Sequence, residues 1–506
     1  IVLAAGATYV GPIVLPFKAG GSGTDADYIT IRTSDLSSIS GEGERIKPTL
    51  HARALPKIVA PNEKAAVSTE PHAHHYKFIG VEFLPAANAS YVHNLIDLGS
   101  SDYTSTSQFP HHLIFDRCYV HSTGLNHARR GFALNSAETS IINSYVSGFA
   151  GAGDETQAIA GWNGSGPFHI VNNYLEAAGE VMLIGGADPA VPNLVPSDIE
   201  IRRNHFNKLR EWNGRALVKG TFELKNAKRV TVEGNLIESE ILTTAIVVTV
   251  RNQGGKAPWS TIEDVEIKNN IVRHASTGIN ILGNDNEHHS QEAKRIRIVN
   301  NLLVDIVRDN PNNNPYFLQT NGGQQITVAH NTVQQAGNVI NAYGAPATGF
   351  MICAQKSASA FAPDGNSSGC IARLPSAVAC VMDSSTPISA MPSRASGFCI
   401  YNDPALAIAR PSTTQITEVG GGVTTIEVSY RSAAPAIDPP TPRRPRRRRH
   451  IAQRSSWERR RHDPDDLLGH RQELGAAETS AQIGLEYRFG LMRGTQGGIY
   501  RTNDRT

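Results

Sequence analysis

An ammonium and a guanidinium occupy matching places in two consecutive β-like segments, Lys225 in TFELKNA and Arg251 in VVTVRNQ. Strand alternation sorts each segment into two faces. Phe222 and Leu224 point in and Glu223 and Lys225 point out, while Val248 and Val250 oppose Thr249 and Arg251. In AIAGWN, Trp162 takes the corresponding outward place, with Asn163 beside it. Cations at neighbouring levels suit removal of a proton α to a carboxylate. A guanidinium grips the carboxylate with its planar fork. A lysine whose pKa is depressed by other cations, here Arg251, Lys219 or Lys228, then acts as the base. Lys225, Arg251 and Glu223 are therefore the expected catalytic group. Trp162, Asn163, Lys219 and Arg203 are the expected substrate contacts, since an indole ring stacks on a sugar face and cations meet uronate carboxylates. The competing reading makes Glu223 and Arg251 an ordinary cross-strand ion pair and puts Trp162 under a loop.

A second group is acidic. GAGDETQAIAGWNG holds Asp154, Glu155 and Gln157, and Asp188 in GGADP follows one repeat later. Asp154, Glu155 and Asp188 are candidate ligands for Ca2+, the one cofactor expected, or carboxylates for hydrolysis. A solvated loop pair is the plain alternative. The histidines of HAHH (72–75) and of the 288–289 pair suggest solvated or capping turns more than a metal site. No Walker-type phosphate loop occurs.

These side chains need a repeating scaffold, and the sequence supplies one. Asparagine recurs in seven short Val/Ile-rich runs, at Asn143, Asn173, Asn204, Asn235, Asn270, Asn301 and Asn331, with gaps of 30, 31, 31, 35, 31 and 30 residues. Asp116 in LIFDRCYV takes the corresponding place one repeat earlier. A fixed period in this range marks stacked structural units, and alternating polarity marks strands. One strand cannot bury both faces, whereas stacked coils roof one another. A buried amide at one position per coil bonds its neighbours above and below. The expected fold class is all-β, a right-handed parallel β-helix over residues 1–350. Long loops such as ADPAVPNLVPSD and NQGGKAPWSTIED form one wall of it.

Past residue 350 the period stops. An irregular, capping region is expected for 351–435 and a flexible, charged tail for 436–506. Residues 441–506 hold 15 arginines and 8 acids, which leaves the rest of the chain at −5 within an overall +2. The solenoid is thus not a basic nucleic-acid binder. The last lysine is Lys356, and out-of-frame translation competes with a basic tail for this stretch. No apolar run is long enough to span a bilayer, and no nucleic-acid or membrane partner is expected. Cys118 reads as a buried small hydrophobe. Cys353, Cys370, Cys380 and Cys399 lack CxxC spacing and suit disulfides in an oxidising compartment.

Segment 70–350 resembles bacterial right-handed β-helix proteins of the pectate-lyase-like superfamily. Within it, FELKNAKRVTVEGN followed by VVTVRNQGG is similar to the core of the chondroitinase B and alginate lyase family. The resemblance matches Lys225 to that family's catalytic lysine, Asn235 to its ladder and Arg251 to its arginine. The family's acidic calcium ligands would fall where this chain has Val218 and Gly220. The resemblance implies a secreted (extracellular or periplasmic), monomeric polysaccharide lyase that cleaves an acidic polysaccharide by β-elimination. A glycoside hydrolase on the same scaffold, or a non-catalytic glycan-binding surface β-helix, are the alternatives.

Overall fold

The computed structural model describes residues 1–20, 27–307, 315–335, 338–353 and the strand segments 356–359, 380–382, 411–419, 423–430 and 487–492. Three long sheets of 13, 12 and 14 strands run the length of the molecule. Each coil contributes one strand to each sheet, and from one coil to the next the pairing is parallel and in register. The fold is a right-handed parallel β-helix. Its core is one continuous stack in which Phe78, Phe115 and Phe132, then Ile159, Met182, Phe222, Ile246 and Ile279, are closed to solvent. In-register pairing makes each coil's apolar residue the roof of the one before, so burial repeats at every rung. Cys118 is buried in this stack, and burial pushes its thiol up to about 12.

Between the first and second sheets each coil from Asn143–Ser144 to His330–Asn331 turns a corner with one left-handed residue followed by one inward polar residue. In the regular coils the pairs are Asn172–Asn173, Arg203–Asn204, Gly234–Asn235, Asn269–Asn270 and Asn300–Asn301, the first of each at φ between 54° and 65°. The second amide accepts both the backbone N–H and the side-chain N–H of its predecessor. Asn173 donates to Asn204 Oδ1 at 2.9 and 3.0 Å, and Asn235 to Asn270 Oδ1 at 2.9 and 2.9 Å. Each Nδ2 also reaches a carbonyl in the previous coil, as Asn235 does to Ile201 at 2.9 Å.

Asn143 was expected in this column and is not there. It is the left-handed residue, at φ 52°, and Ser144 takes the inward place, its N–H donating to Asn173 Oδ1 at 2.8 Å. Asp116 likewise lies just before the turn. It accepts from Asn143 Nδ2 at 2.9 Å and pairs with Arg117.

Strands Pro411–Val419, Val423–Tyr430 and Tyr487–Met492 continue the third sheet beyond Asn338–Tyr343. Most of the two expected C-terminal segments, and the pairing of the four later cysteines, lie outside the described residues. Among the described residues no helix is long and apolar enough to cross a membrane.

Candidate active site on the third sheet

Most of the expected site residues lie on or beside the third sheet. Strands Val92–Gly99, Ala128–Asn135, Gln157–Gly161, Glu180–Ile184, Phe222–Leu224 and Thr244–Thr249 lie side by side in it. Asn94, Arg130, Gln157 and Glu180 share one register position across four coils. Hydrogen bonds join them. Arg130 donates to Gln157 Oε1 at 2.8 Å and to Asn94 Oδ1 at 3.3 Å, and Gln157 donates to Glu180 Oε2 at 2.8 Å. A second register position holds Leu183, Glu223 and Val247.

Alternation placed Glu223 off the core face, and it does lie between inward Phe222 and Leu224. It is nevertheless sealed at 5 % exposure. Gly220 approaches so closely that a Cβ there would sit 2.5 Å from Glu223 Oε1, and its N–H donates to that oxygen at 3.2 Å. Glu223 is therefore a buried anchor, not a group that can touch a polymer. The loop behind Gly220 is held down by Trp212 among Ala150, Ala178 and Ile241, by Leu217 N–H to Gly151 O at 2.8 Å, and by the Lys219–Glu155 pair.

Lys225 and Arg251 come together as expected. Arg251 N–H donates to Lys225 O at 2.9 Å, which fixes them on adjacent coils at one end of the third sheet. Both side chains stay partly open, at 19 % and 25 %. Each already has an acidic partner, Glu223 Oε2 at 2.8 Å from Lys225 Nζ and Asp285 Oδ1 at 3.2 Å from Arg251. The plain reading of Arg251 with Glu223 as a cross-strand pair thus gives way to two separate pairs. Trp162 is half-buried with the Arg130 guanidinium 5.0 Å from its ring centroid, a cation–π arrangement.

Other expected contacts have different work. Asn163 is fully buried. Its Nδ2 donates to Ser100 O and Tyr103 O, each at 3.0 Å, and its Oδ1 accepts from Val191 N–H at 3.2 Å. It ties two loops to the solenoid and is closed to a ligand. Arg203 is the left-handed residue of the asparagine corner, between the first and second sheets, and so stands on another wall. Lys219 is engaged by Glu155.

The three acids expected to hold Ca2+ are not gathered into one donor set. Asp154 accepts from Tyr91 OH, Glu155 pairs with Lys219, and Asp188 Oδ2 accepts the backbone N–H groups of Gly254 and Lys256, each at 2.9 Å. Each carboxylate serves a different partner. Among the described residues only His75, His111 and His112 bring three candidate metal donors within 4.8 Å of one another.

The electrostatics of this wall were not foreseen. Glu180, 2 % exposed, has its carboxyl pushed up to about 7 by burial and then by the charges of Glu223 and Glu155. Burial acts on Glu223 in the same sense, but Lys225, then Lys219 and Lys208, outweigh it and hold that carboxyl below its ordinary value. Burial lifts Asp97 to about 6 and lowers His93 to about 4, the latter helped by Arg130. Lys208 is buried with its ammonium directed at the carbonyls of Ala177, Ala178 and Gly179. Burial draws its pKa down, opposed by Glu180 and Glu223. A sequence signal for part of this exists, since Gln157 and Glu180 begin consecutive third-sheet strands and Arg130 is the third residue of the strand before them.

No family model matches the chain, and no curated protein matches it in sequence. In fold it is similar to PfbA, a surface adhesin of Streptococcus pneumoniae, at a TM-score of 0.41 and 10 % identity, covering 70 % of this chain and 82 % of that one. It is also similar to an alginate lyase from a Paenibacillus species (TM-score 0.27, 15 % identity, 70 % and 87 % covered) and to the Dettilon tailspike protein (TM-score 0.31, 12 % identity, 85 % and 70 % covered). With its three parallel sheets, the chain is a parallel β-helix protein.

Proposed function

We propose that the outer wall of the third sheet binds an acidic polysaccharide and cleaves it by β-elimination. The observation that carries this reading is the Lys225–Arg251 step, with two partly open cations joined through one backbone hydrogen bond. In this reaction Arg251 holds the uronate carboxylate and stabilises charge as the C5 proton leaves. Lys225 Nζ, acting from its unprotonated form, takes that proton, the C4=C5 double bond forms, and the C4–O4 bond breaks with its electron pair going to the departing sugar oxygen. Water supplies that oxygen's proton. Glu223 positions Lys225 without contacting substrate. Trp162 offers the ring on which a neighbouring sugar stacks. A polymer substrate places the protein outside the cytoplasm.

One observation favours a second reading. Glu180 and Glu223 have their carboxyls driven in opposite directions, the pattern of an acid and a carboxylate working together in glycoside hydrolysis. Both are nearly closed to solvent, whereas Lys225 and Arg251 are not, which favours elimination. The test is incubation of the full chain with alginate, pectate, chondroitin and hyaluronan. Elimination gives products with ultraviolet absorbance from the new double bond. New reducing ends without that absorbance would replace the lyase by the hydrolase, and binding with neither product would leave a glycan-binding wall.

Lys225→Ala alone strands the buried Glu223 charge, which costs roughly 3–5 kcal/mol when one partner of a buried pair is removed. The double variant Lys225→Ala/Glu223→Gln relieves that charge and is expected to fold yet remain inactive. Full activity in the double variant removes Lys225 from the reaction.

A further inference from the structure

We propose that His75, His111 and His112 form a binding site for a borderline transition-metal ion of the Zn2+, Ni2+ or Cu2+ class, at the corner where the third sheet passes into the first. The pairs His74–His75 and His111–His112 open consecutive strands of the first sheet, His74–Ile79 and His111–Asp116, with His74 opposite His111. In-register stacking then puts four imidazoles together. His74 stacks on His111 with centroids 5.1 Å apart, and His75 on His112 at 4.3 Å. Of HAHH only His72 lies exposed in a turn, while His74 and His75 are buried in the strand.

The hydrogen bonds fix where the protons lie. His74 Nε2 is 2.9 Å from Lys18 O, which can only accept, so this nitrogen carries the proton. The other nitrogen of a neutral His74 then accepts from His75 Nδ1, 2.8 Å away. That leaves a bare lone pair on His75 Nε2, which is buried and has no hydrogen-bond partner. An unsatisfied buried polar atom is costly, and a metal ion would satisfy it. The second pair follows the same logic. His112 Nε2 lies 2.8 Å from Glu138 Oε2 and carries its proton there, leaving Nδ1 as its ligand atom. His111 Nδ1, 2.6 Å from His112 Nδ1, donates to it and leaves its own Nε2 bare, so an incoming ion takes the His112 Nδ1 lone pair only by displacing that hydrogen bond. The Glu138–His112 contact is the carboxylate–imidazole arrangement that orients metal-ligating histidines. One nitrogen from each of the three rings lies within 4.8 Å of the others. Imidazole donors suit zinc, nickel and copper over calcium or magnesium.

The test uses full-length protein stripped with a chelator and then titrated with Zn2+, and separately with Co2+ as a spectroscopic probe. One equivalent should bind, with the visible absorbance of nitrogen-ligated Co2+ and a rise in Tm with metal concentration. His75→Gln and His112→Gln should abolish both signals. Glu138→Gln should weaken binding by about 10- to 100-fold. His288→Asn/His289→Asn, in a distant loop, should bind as wild type. If His75→Gln fails to fold, wild type alone still decides. No metal-dependent Tm shift and no Co2+ spectrum in the stripped wild type overturns the site, as does binding that survives His112→Gln but is lost in the 288–289 variant.

Discussion

The asparagine corner and the outer wall of the third sheet both bury polar side chains, and they do so by opposite rules. At the corner one group type recurs. Each amide from Asn173 to Asn301 gives its N–H groups to the next coil's side-chain oxygen, and each oxygen from Asn204 to Asn331 receives those of the coil before. No charge is involved, and every rung is equivalent. On the wall no two rungs match. Arg130, Gln157, Glu180 and Glu223 follow one another, several are ionisable, and burial drives Glu180 and Asp97 up while cations hold Glu223 down. Repetition with neutral self-complementary groups builds a fold. Non-repeated buried charge is kept at the expense of stability and is where chemistry is concentrated.

Breaking the corner should have the largest effect on folding. Asn235→Ala removes the acceptor of two Asn204 N–H groups and the donor to Ile201 O and Asn270 Oδ1. At roughly 1–3 kcal/mol for each stranded buried group, partly relieved by relaxation, a loss of about 3–5 kcal/mol is expected in urea unfolding. A loss below about 1 kcal/mol would mean that the column is not what couples the coils.

Glu180→Gln sharpens the contrast through pH. The folded carboxyl titrates near 7, above its unfolded value, so its contribution is fully present below the unfolded pKa and is lost as pH rises through about 7. The glutamine variant should match wild type near pH 4 and exceed it at pH 8 by up to about 3 kcal/mol. Equal Tm differences at both pH values would contradict a buried proton on Glu180.

The smallest effect belongs to the exposed corner before the first sheet. There Arg295 pairs with Asp264 at 2.5 Å, and both are about two-fifths exposed. Arg295→Ala should cost less than about 1 kcal/mol, and added salt should shrink even that.

The period and the Val/Ile alternation made the solenoid legible, because both are direct consequences of stacking one coil on another. The off-by-one at Asn143 has a physical cause. Asparagine is favoured both in the left-handed turn and in the inward amide position. Doublets such as Asn172–Asn173 therefore conceal which member is which, and where Ser144 takes the inward role the lone asparagine misleads. Alternation correctly put Glu223 and Lys225 off the core face. It could not show that the loop ending at Gly220 closes over Glu223, because loop paths have no period. The histidine cluster escaped for another reason. Its two doublets are separated by 37 residues, and only the pairing of His74 with His111 makes them neighbours.

Because every rung is bolted to the next through the same amide position, the protein can change length only by whole turns. Excision or duplication of one complete repeat preserves the bolt pattern, while a one-residue shift flips a strand's two faces. The length of the wall is thus set in discrete steps, and related proteins of different reach would arise through repeat gain and loss more readily than through gradual lengthening.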